Sequence, residues 1–310
     1  MEKYDWIIVG GGIHGVCAAR ALSERGQSVR ILDPSGRLLD RWARRATAVD
    51  MTWMRSPANH HLAARPASLH HFLHEPENAD VAELAGVFRR PTYEAFRRHS
   101  QDVIEKHRLN ERVDLASAES IRSESDCLRV EGGGRTWSAQ RVLLATGSNV
   151  LRKPDWARRL QGEGAPIHHV FEDGVGLDHD ILGGGISALQ RALMIRRTTR
   201  QTVRLWLRHP LRVHEFDFDR QWTKHKFMGR WTTQSEAERC VFLARNPRQG
   251  SVPAKLAERV NRAVRLGQIE IEYGEPVAEW DPAQERLLLR GKERTVESSG
   301  LTLATGFEPE

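Results

Sequence analysis

Two glycine runs hold the residue types on which any chemistry in this 310-residue chain would turn. The first is Gly10-Gly11-Gly12-Ile13-His14-Gly15, with Asp33 further on. The second is Gly183-Gly184-Gly185-Ile186-Ser187-Ala188, with Leu207-Arg208 further on. In a G-x-G-x-x-G/A pattern each glycine has a separate task. Gly10 permits a tight turn. Gly12 lets the backbone approach a pyrophosphate with no Cβ between, and Gly15 lets a helix sit close to a strand. The helix that follows offers unpaired N–H groups and a partial positive charge to phosphates. An acid at the position of Asp33 can accept hydrogen bonds from ribose hydroxyls. The chemistry is dinucleotide binding, and the chain is equipped for it twice.

That chemistry requires a strand before each run and a helix and strand after it. Trp6-Ile7-Ile8-Val9 has the continuous apolar character of a buried parallel strand. Val16, Ala19 and Leu22 then recur at helical spacing, Gly26 stops the helix, and Ser28 to Leu32 forms the second strand. His179 to Leu182, a helix carrying Leu189, Ala192, Leu193 and Ile195, and a strand from Thr202 to Leu207 repeat the plan. An internal repeat of this kind reports architecture before any single motif does. Each half closes on an apolar strand ending in Ala-Thr-Gly: Arg141 to Gly147, and Gly300 to Gly306.

Short alternating segments with turn signals precede those closing strands. They are Val113–Leu115 and Cys127–Val130, with Gly132-Gly133-Gly134 as the turn, in the first half. In the second they are Ile269–Tyr273, Val277–Trp280 and Arg286–Arg290, broken at Asp281-Pro282 and Gly291-Lys292. The fold class is therefore α/β. Two Rossmann-like domains are expected, 1–165 and 166–310, each a parallel sheet with an antiparallel meander. A mostly helical insertion spans about 34–106, with helical patches at Leu69–His74 and Tyr93–Lys106. Arg152–Pro166 reads as the linker.

Composition narrows the classes. The chain has 47 basic and 41 acidic residues, giving a net charge of +6. The basic residues, mostly arginine, are spread among the acids. Clusters such as Arg41, Arg44 and Arg45, or Arg196, Arg197 and Arg200, read as solvated helix faces rather than a nucleic-acid stripe. Three cysteines, Cys17, Cys127 and Cys240, lie far apart with no C-x-x-C, which argues against a disulfide framework, a zinc ribbon or a dithiol redox centre. The first strand begins within a few residues of Met1, so no signal peptide fits, and no apolar stretch is long enough to span a bilayer. A cytoplasmic location is the expectation. His70 and His74 stand four apart, but the H-E-x-x-H pattern would want Glu where His71 stands. With His60-His61 and His168-His169 they read as surface or hydrogen-bonded histidines, and no metal is expected.

Two fingerprints, each closed by a Leu-Ala-Thr-Gly strand, resemble the flavoproteins with two dinucleotide-binding domains of the glutathione-reductase type. Three stretches are similar to the flavin monooxygenases, nearest the ornithine/lysine N-hydroxylase-like branch. They are the G-x-G-x-S-A form of residues 183–188, the segment Asp50 to Pro57 with Ser68 to Leu73, and Arg90 to Phe96. The family's linker motif is only echoed, by Leu160-Gln161-Gly162 and His168. Chains of this type usually continue past the second Ala-Thr-Gly and return to the first domain. This one stops at Phe307-Glu308-Pro309-Glu310, and the expectation is either a truncated form or an FAD domain left open on one side.

The resemblance implies FAD at the first fingerprint and NADPH at the second. Gly10, Gly12, Ile13, His14, Gly15, Asp33, Val113, Ala145, Thr146 and Gly147 would surround FAD. Trp42 stands either near the adenosine or in plain core. Gly183, Gly185, Ile186, Ser187, Ala188 and Arg208 would hold NADPH. Arginine where the first unit has Asp33 favours a 2′-phosphate over a free hydroxyl, unless Arg208 is one more exposed arginine. Arg55, beside the flavin segment, is the candidate for a functional side chain. The implied activity is a flavin monooxygenase that hydroxylates a nitrogen or sulfur of a small molecule, using O2 through a C4a-(hydro)peroxyflavin. A reductase or oxidase without oxygenation, and a non-catalytic nucleotide-binding protein, stay open. A homo-oligomer is compatible with the resemblance, and neither nucleic acid nor membrane is an expected partner.

Overall fold

A computed structural model describes residues 3–217, 225–245, 250–274, 276–291 and 294–308. Lys292 of the expected second-half turn and the terminal Pro309-Glu310 lie outside them. Contacts divide the described chain into two compact units, one of 3–47 and 51–149, the other of 48–50 and 150–308.

The first unit begins with strand β1 (Lys3–Val9), helix α1 (Ile13–Ser23) and strand β2 (Val29–Asp33). The insertion follows as helices α2 (Asp40–Ala48) and α3 (Ser68–Phe72), a 3-10 turn (Pro76–Val81), strands β3 (Leu84–Ala85) and β4 (Arg90–Pro91), and helix α4 (Tyr93–Lys106). Strands β5 (Val113–Leu115), β6 (Ser120–Ser123), β7 (Leu128–Gly132) and β8 (Arg135–Leu144) complete the unit. They build one six-stranded sheet in the order β5-β2-β1-β8-β7-β6. The pairs among β5, β2, β1 and β8 are parallel, and β8-β7-β6 are antiparallel.

The helical spacing of α1 sets its packing. Val16 and Ala19, three apart, are fully buried against Ile8 and Ile31 of the sheet, with Val103 and Ile104 of α4 in the same cluster. Thr92 caps α4 by accepting the Ala95 N–H at 3.0 Å. Closing Arg30, Asp114 and Trp137 into one group pins the edge strand. Both Nε and Nη2 of Arg30 donate to the Asp114 carboxylate, at 2.7 and 2.6 Å, and Trp137 Nε1 adds a third bond at 2.8 Å. Those donors hold the Asp114 carboxyl well below the usual range, at about 2.

The second unit contains α5 (Asp155–Gly162), β9 (Ile167–His169), β10 (Asp180–Leu182), α6 (Ile186–Thr199), β11 (Val203–Leu207), α7 (His225–Thr233), α8 (Glu236–Arg245) and α9 (Ala254–Arg265). Strands β12 (Ile269–Tyr273), β13 (Val277–Asp281), β14 (Arg286–Arg290), β15 (Thr295–Ser298) and β16 (Leu301–Leu303) follow. Its five-stranded sheet, β12-β11-β10-β16-β9, is wholly parallel, and β13-β14-β15 form a separate antiparallel sheet.

Three expectations change. Val113–Leu115 and Ile269–Tyr273 are parallel strands beside β2 and β11, not parts of a meander. The third strand of the first meander is Ser120–Ser123, whose polar sequence carries no strand signal. The supposed linker holds α5, because Ala157 and Leu160 fall three apart and bury against Ile167 and Leu303.

Space decides why the third fingerprint glycine differs between the units. A Cβ on Gly15 would lie 1.9 Å from the Gly10 carbonyl oxygen. Ala188, at the matching place in α6, is fully buried and accommodated. Gly15→Ala should therefore destabilise the protein by about 3 kcal/mol, by forcing α1 off its turn. Ala188→Gly should cost only about 1 kcal/mol. Urea midpoints of the two variants measure the difference.

A buried histidine makes a second prediction. His99, on α4, is 1% exposed, with Ser68 Oγ 3.0 Å from Nε2 and the rings of His61 and Phe72 against it. Burial, with the neighbouring His61, pushes its pKa down to about 4. The unfolded chain, with a histidine pKa of about 6.5, then binds more protons below neutrality. Stability should be full above about pH 6.5 and fall by on the order of 3 kcal/mol as pH drops toward about 4. Denaturant midpoints across this window should show the slope, and His99→Gln should flatten it.

Candidate functional site

Both glycine runs stand at the carboxyl ends of their parallel sheets, where strand order reverses. In the first sheet the chain moves outward from β1 to β2 and β5, then returns as β8 on the other side of β1. In the second it moves from β10 to β11 and β12, then returns as β16. A crevice beyond such a switch point is where open α/β sheets take their ligands.

The two turns are built by the same bonds. Gly10 N–H donates to Leu32 O at 2.8 Å, and Gly183 N–H to Trp206 O at 3.0 Å. Ala145 N–H donates to Val9 O at 2.8 Å, and Ala304 N–H to Leu182 O, also at 2.8 Å. Gly10 has φ +111° and Gly183 φ +145°, and a Cβ at either would come within 2.4 or 2.5 Å of the Ala145 or Ala304 carbonyl oxygen. Only glycine fits there. The Ala-Thr-Gly strands thus act first as walls against which the turns close.

Gly12 and Gly185 are the N-caps of α1 and α6. Neither helix has a side-chain cap or an acid in its first turn. Helices α2, α4, α5 and α8 carry Asp or Glu there, while α3, α7 and α9 do not, so what sets α1 and α6 apart is the glycine turn in front of an uncapped start. The donors and the positive field of α1 and α6 are left for an outside anion. A Cβ on Gly12 would meet nothing within 4 Å, and one on Gly185 only Gly250 Cα at 3.7 Å. No described neighbour requires glycine at these positions, so the space above them suits a closely approaching phosphate. The residues present fit a dinucleotide at both places.

Asp33 does more than sequence reasoning assigned to it. Its Oδ2 accepts the Gly11 N–H at 2.8 Å, and its Oδ1 accepts the Ser35 N–H and hydroxyl at 2.9 and 2.6 Å. The carboxylate braces the glycine turn and retains lone pairs for a ribose hydroxyl. A two-residue offset to serine, an Asx-turn pattern, was the available signal.

The other sequence-derived residues fall as follows. Ile13 and Ile186 pack at the margins of the cores, while His14 is exposed on the first turn of α1. Ser187 is half-buried beside Ala188, and Thr146 and Gly147 are exposed at the end of β8. Val113 opens β5, paired with Ile31. Trp42, half-buried, packs its ring 5.3 Å from Tyr93 and 5.1 Å from Phe96. Arg208 is exposed directly after β11. Arg55 supplies its carbonyl to Arg90 Nε at 2.8 Å, in a strap where Trp53 bridges Thr92. His74 Nδ1 lies 2.7 Å from the His70 carbonyl oxygen. Among the described residues no group of three His, Cys, Asp or Glu is placed to hold a metal ion, and no helix is long and apolar enough to cross a membrane.

If Asp33 braces the turn, Asp33→Ala should lower the stability of the flavin-free protein by about 2 kcal/mol, through two backbone N–H groups losing their acceptor. A carboxylate serving a ligand alone would leave the flavin-free protein unchanged. Thermal unfolding of both proteins without cofactor distinguishes the cases.

Residues 7–149 match a family model described as FAD-NAD(P)-binding. No curated protein matches the chain. Among solved structures, the ornithine N-hydroxylase of Kutzneria sp. 744, with reduced FAD, NADP+ and L-ornithine, is 17% identical with a TM-score of 0.70, over 100% of this chain and 82% of its own. The L-lysine 6-monooxygenase of Pseudomonas syringae is 16% identical with a TM-score of 0.73, over 99% and 82%. The bacillithiol disulfide reductase of Staphylococcus aureus is 15% identical with a TM-score of 0.62, over 100% and 78%. At these identities the likeness establishes the fold, a Rossmann-type flavoprotein fold.

Proposed function

We propose that the chain is an FAD- and NADPH-dependent oxidoreductase, and within that class a flavin monooxygenase acting on a nucleophilic nitrogen or sulfur of a small molecule. The observation that carries the reading is the repetition of one uncapped, acid-free helix N-terminus behind a glycine turn, once in each unit. The division of labour is FAD in the first unit and NADPH in the second.

When bound, FAD supplies the two-electron chemistry and the reaction with O2, and the chain supplies binding, orientation and exclusion of water. Gly12 and the first turn of α1 hold the FAD diphosphate, and Asp33 keeps the Gly11 peptide fixed while accepting a ribose hydroxyl. Ala145, Thr146 and Gly147 form the wall beside that turn. Gly183, Gly185 and the first turn of α6 hold the second diphosphate. Arg208, the residue after Leu207, which stands where the first unit has Asp33, takes the 2′-phosphate in a charge-assisted contact. Support for oxygenation comes from the likeness to N-hydroxylating enzymes. The second reading, a reductase or oxidase without oxygenation, draws on the disulfide reductase likeness. Cys17, Cys127 and Cys240 are all free thiols and provide no dithiol pair in sequence proximity.

Anaerobic reduction with NADPH followed by rapid mixing with O2 separates these readings. A lag before oxidised-flavin absorbance returns supports oxygenation, immediate return supports the second reading, and failure to bind flavin refutes both. The NADPH preference in kcat/KM should drop at least about tenfold in Arg208→Ala. An unchanged preference would show that Arg208 is an ordinary surface arginine.

A further inference from the structure

Two large apolar side chains stand in solvent at the same place in the two units. Leu115 ends β5 and is 69% exposed, and Tyr273 ends β12 and is 47% exposed. Parallel pairing sets Leu115 opposite Asp33 at the end of β2, and Tyr273 opposite Leu207 at the end of β11. Asp33 and Leu207 are themselves matched, since each follows the residue whose carbonyl accepts the N–H of the first fingerprint glycine. A single apolar residue on a surface needs no explanation. Recurrence at one register position in two separate sheets does.

The face is the same as well. Side chains alternate along a strand, so Leu115 shares its face with Val113, which packs in the α1 core with Ile31. Tyr273 shares its face with Ile269 and Ile271, which pack in the α6 core with Leu205 and Leu207. Each therefore stands on the side of the sheet against which its fingerprint helix packs, at the carboxyl edge where that helix starts. In the first unit a loop glycine leaves Leu115 uncovered: a Cβ on Gly36 would stand 3.1 Å from the Leu115 Cβ.

Strand order fixes what can reach these side chains. Counting outward, the ends of β1, β2 and β5 follow one another in the first sheet, and those of β10, β11 and β12 in the second. Neighbouring strands lie about 4.8 Å apart, so each row is about 10 Å long. On the reading proposed above, the glycine turn with its diphosphate takes the first place in the row. The ribose takes the second, at Asp33 or at Leu207-Arg208. The group on the far side of that ribose falls on the third, and in FAD and NADPH alike it is adenine.

We propose that Leu115 and Tyr273 are the platforms on which the two adenine rings rest, Leu115 for FAD and Tyr273 for NADPH. The proposal rests on the reading of both fingerprints as dinucleotide sites and extends it to the bases. Adenine presents a flat π-face that gains from apolar contact and gains more from an aromatic ring. Leu115 offers contact alone, whereas Tyr273 offers stacking.

The test titrates the flavin-stripped full chain with FAD, FMN, NADPH and adenosine 2′,5′-bisphosphate, with unfolding midpoints taken alongside. FMN keeps the flavin ring and lacks adenosine, and the bisphosphate keeps adenosine and lacks nicotinamide. Leu115→Ser should weaken FAD binding about fivefold and leave FMN and NADPH within about twofold. Tyr273→Ser should weaken NADPH and the bisphosphate about tenfold each and leave FAD within about twofold. Tyr273→Phe keeps the ring and should keep both within about twofold. Midpoints should not move, because both side chains stand largely in solvent. Should Leu115→Ser fail to fold, Leu115→Thr carries the same prediction, and where FMN binds too weakly to measure, the comparison of FAD with NADPH decides. Unchanged FAD affinity in the Leu115 variant, or unchanged bisphosphate affinity in Tyr273→Ser, overturns the assignment at that site. Equal loss of FAD and FMN, or loss of both dinucleotides from one substitution, would reduce the residue to a structural part and overturn it too. A wild-type chain that binds neither FAD nor NADPH would instead refute the dinucleotide reading beneath the proposal.

Discussion

At the carbonyl oxygen of Gly10 the fold leaves no room for a side chain on the helix that follows. With Gly15 lacking a Cβ, α1 comes so close that even a methyl group there would stand 1.9 Å from that oxygen. The same turn presses on the Ala145 carbonyl from the other side. Close-packed interiors do not absorb such a mismatch by yielding. The position of α1, and hence where its first-turn N–H groups point, follows from this one contact. The sheet order, the return of β8 beside β1 and the brace from Asp33 all serve to hold it.

The second unit reaches the same result with less crowding. Its turn is closed by equivalent backbone bonds to Trp206 and Leu182, yet Ala188 is accommodated where Gly15 is obligatory. The outer charges differ as well. Asp33 is spent partly on its own turn, while Arg208 is exposed at the end of β11. Two copies of one backbone solution therefore carry different side chains at the strand end, an acid in the first and leucine followed by arginine in the second. Below the second sheet, Asp180 is held by Arg204, Trp206 and Ser298, much as Asp114 is held by Arg30 and Trp137 in the first unit. Buried carboxylates with matched donors lock strand register in both.

What could be read from sequence follows the range of the interactions concerned. The βαβ units were legible because Val16 and Ala19, or Ala192 and Ile195, repeat at helical spacing beside apolar strands and glycines, which are local signals. Ser120–Ser123 was not, since its strand character comes from pairing with β7 rather than from its own side chains. The pairing partners of Val113–Leu115 and Ile269–Tyr273 were hidden because a short strand does not encode whether its neighbour runs parallel. The turn role of Gly10 and the packing role of Gly15 were legible for the same local reason. That Arg41 donates to Asn149 and Arg45 to the Ser148 carbonyl was hidden, since each contact spans more than a hundred residues of sequence. Asp33 lay between: its place after β2 marked it, but its bond to Gly11 depends on the folded turn.

The central claim is that each fingerprint binds its own dinucleotide by close backbone approach at its N-cap glycine. Gly12 and Gly185 test it most directly, because an alanine Cβ at either meets nothing closer than 3.7 Å and the fold should survive. The measurement is equilibrium binding of FAD and of NADPH to the wild type, Gly12→Ala and Gly185→Ala, with unfolding midpoints taken alongside. The account predicts that Gly12→Ala loses FAD affinity and keeps NADPH, and that Gly185→Ala does the reverse. Folded variants that keep both cofactors, or a single substitution that weakens both equally, would contradict it.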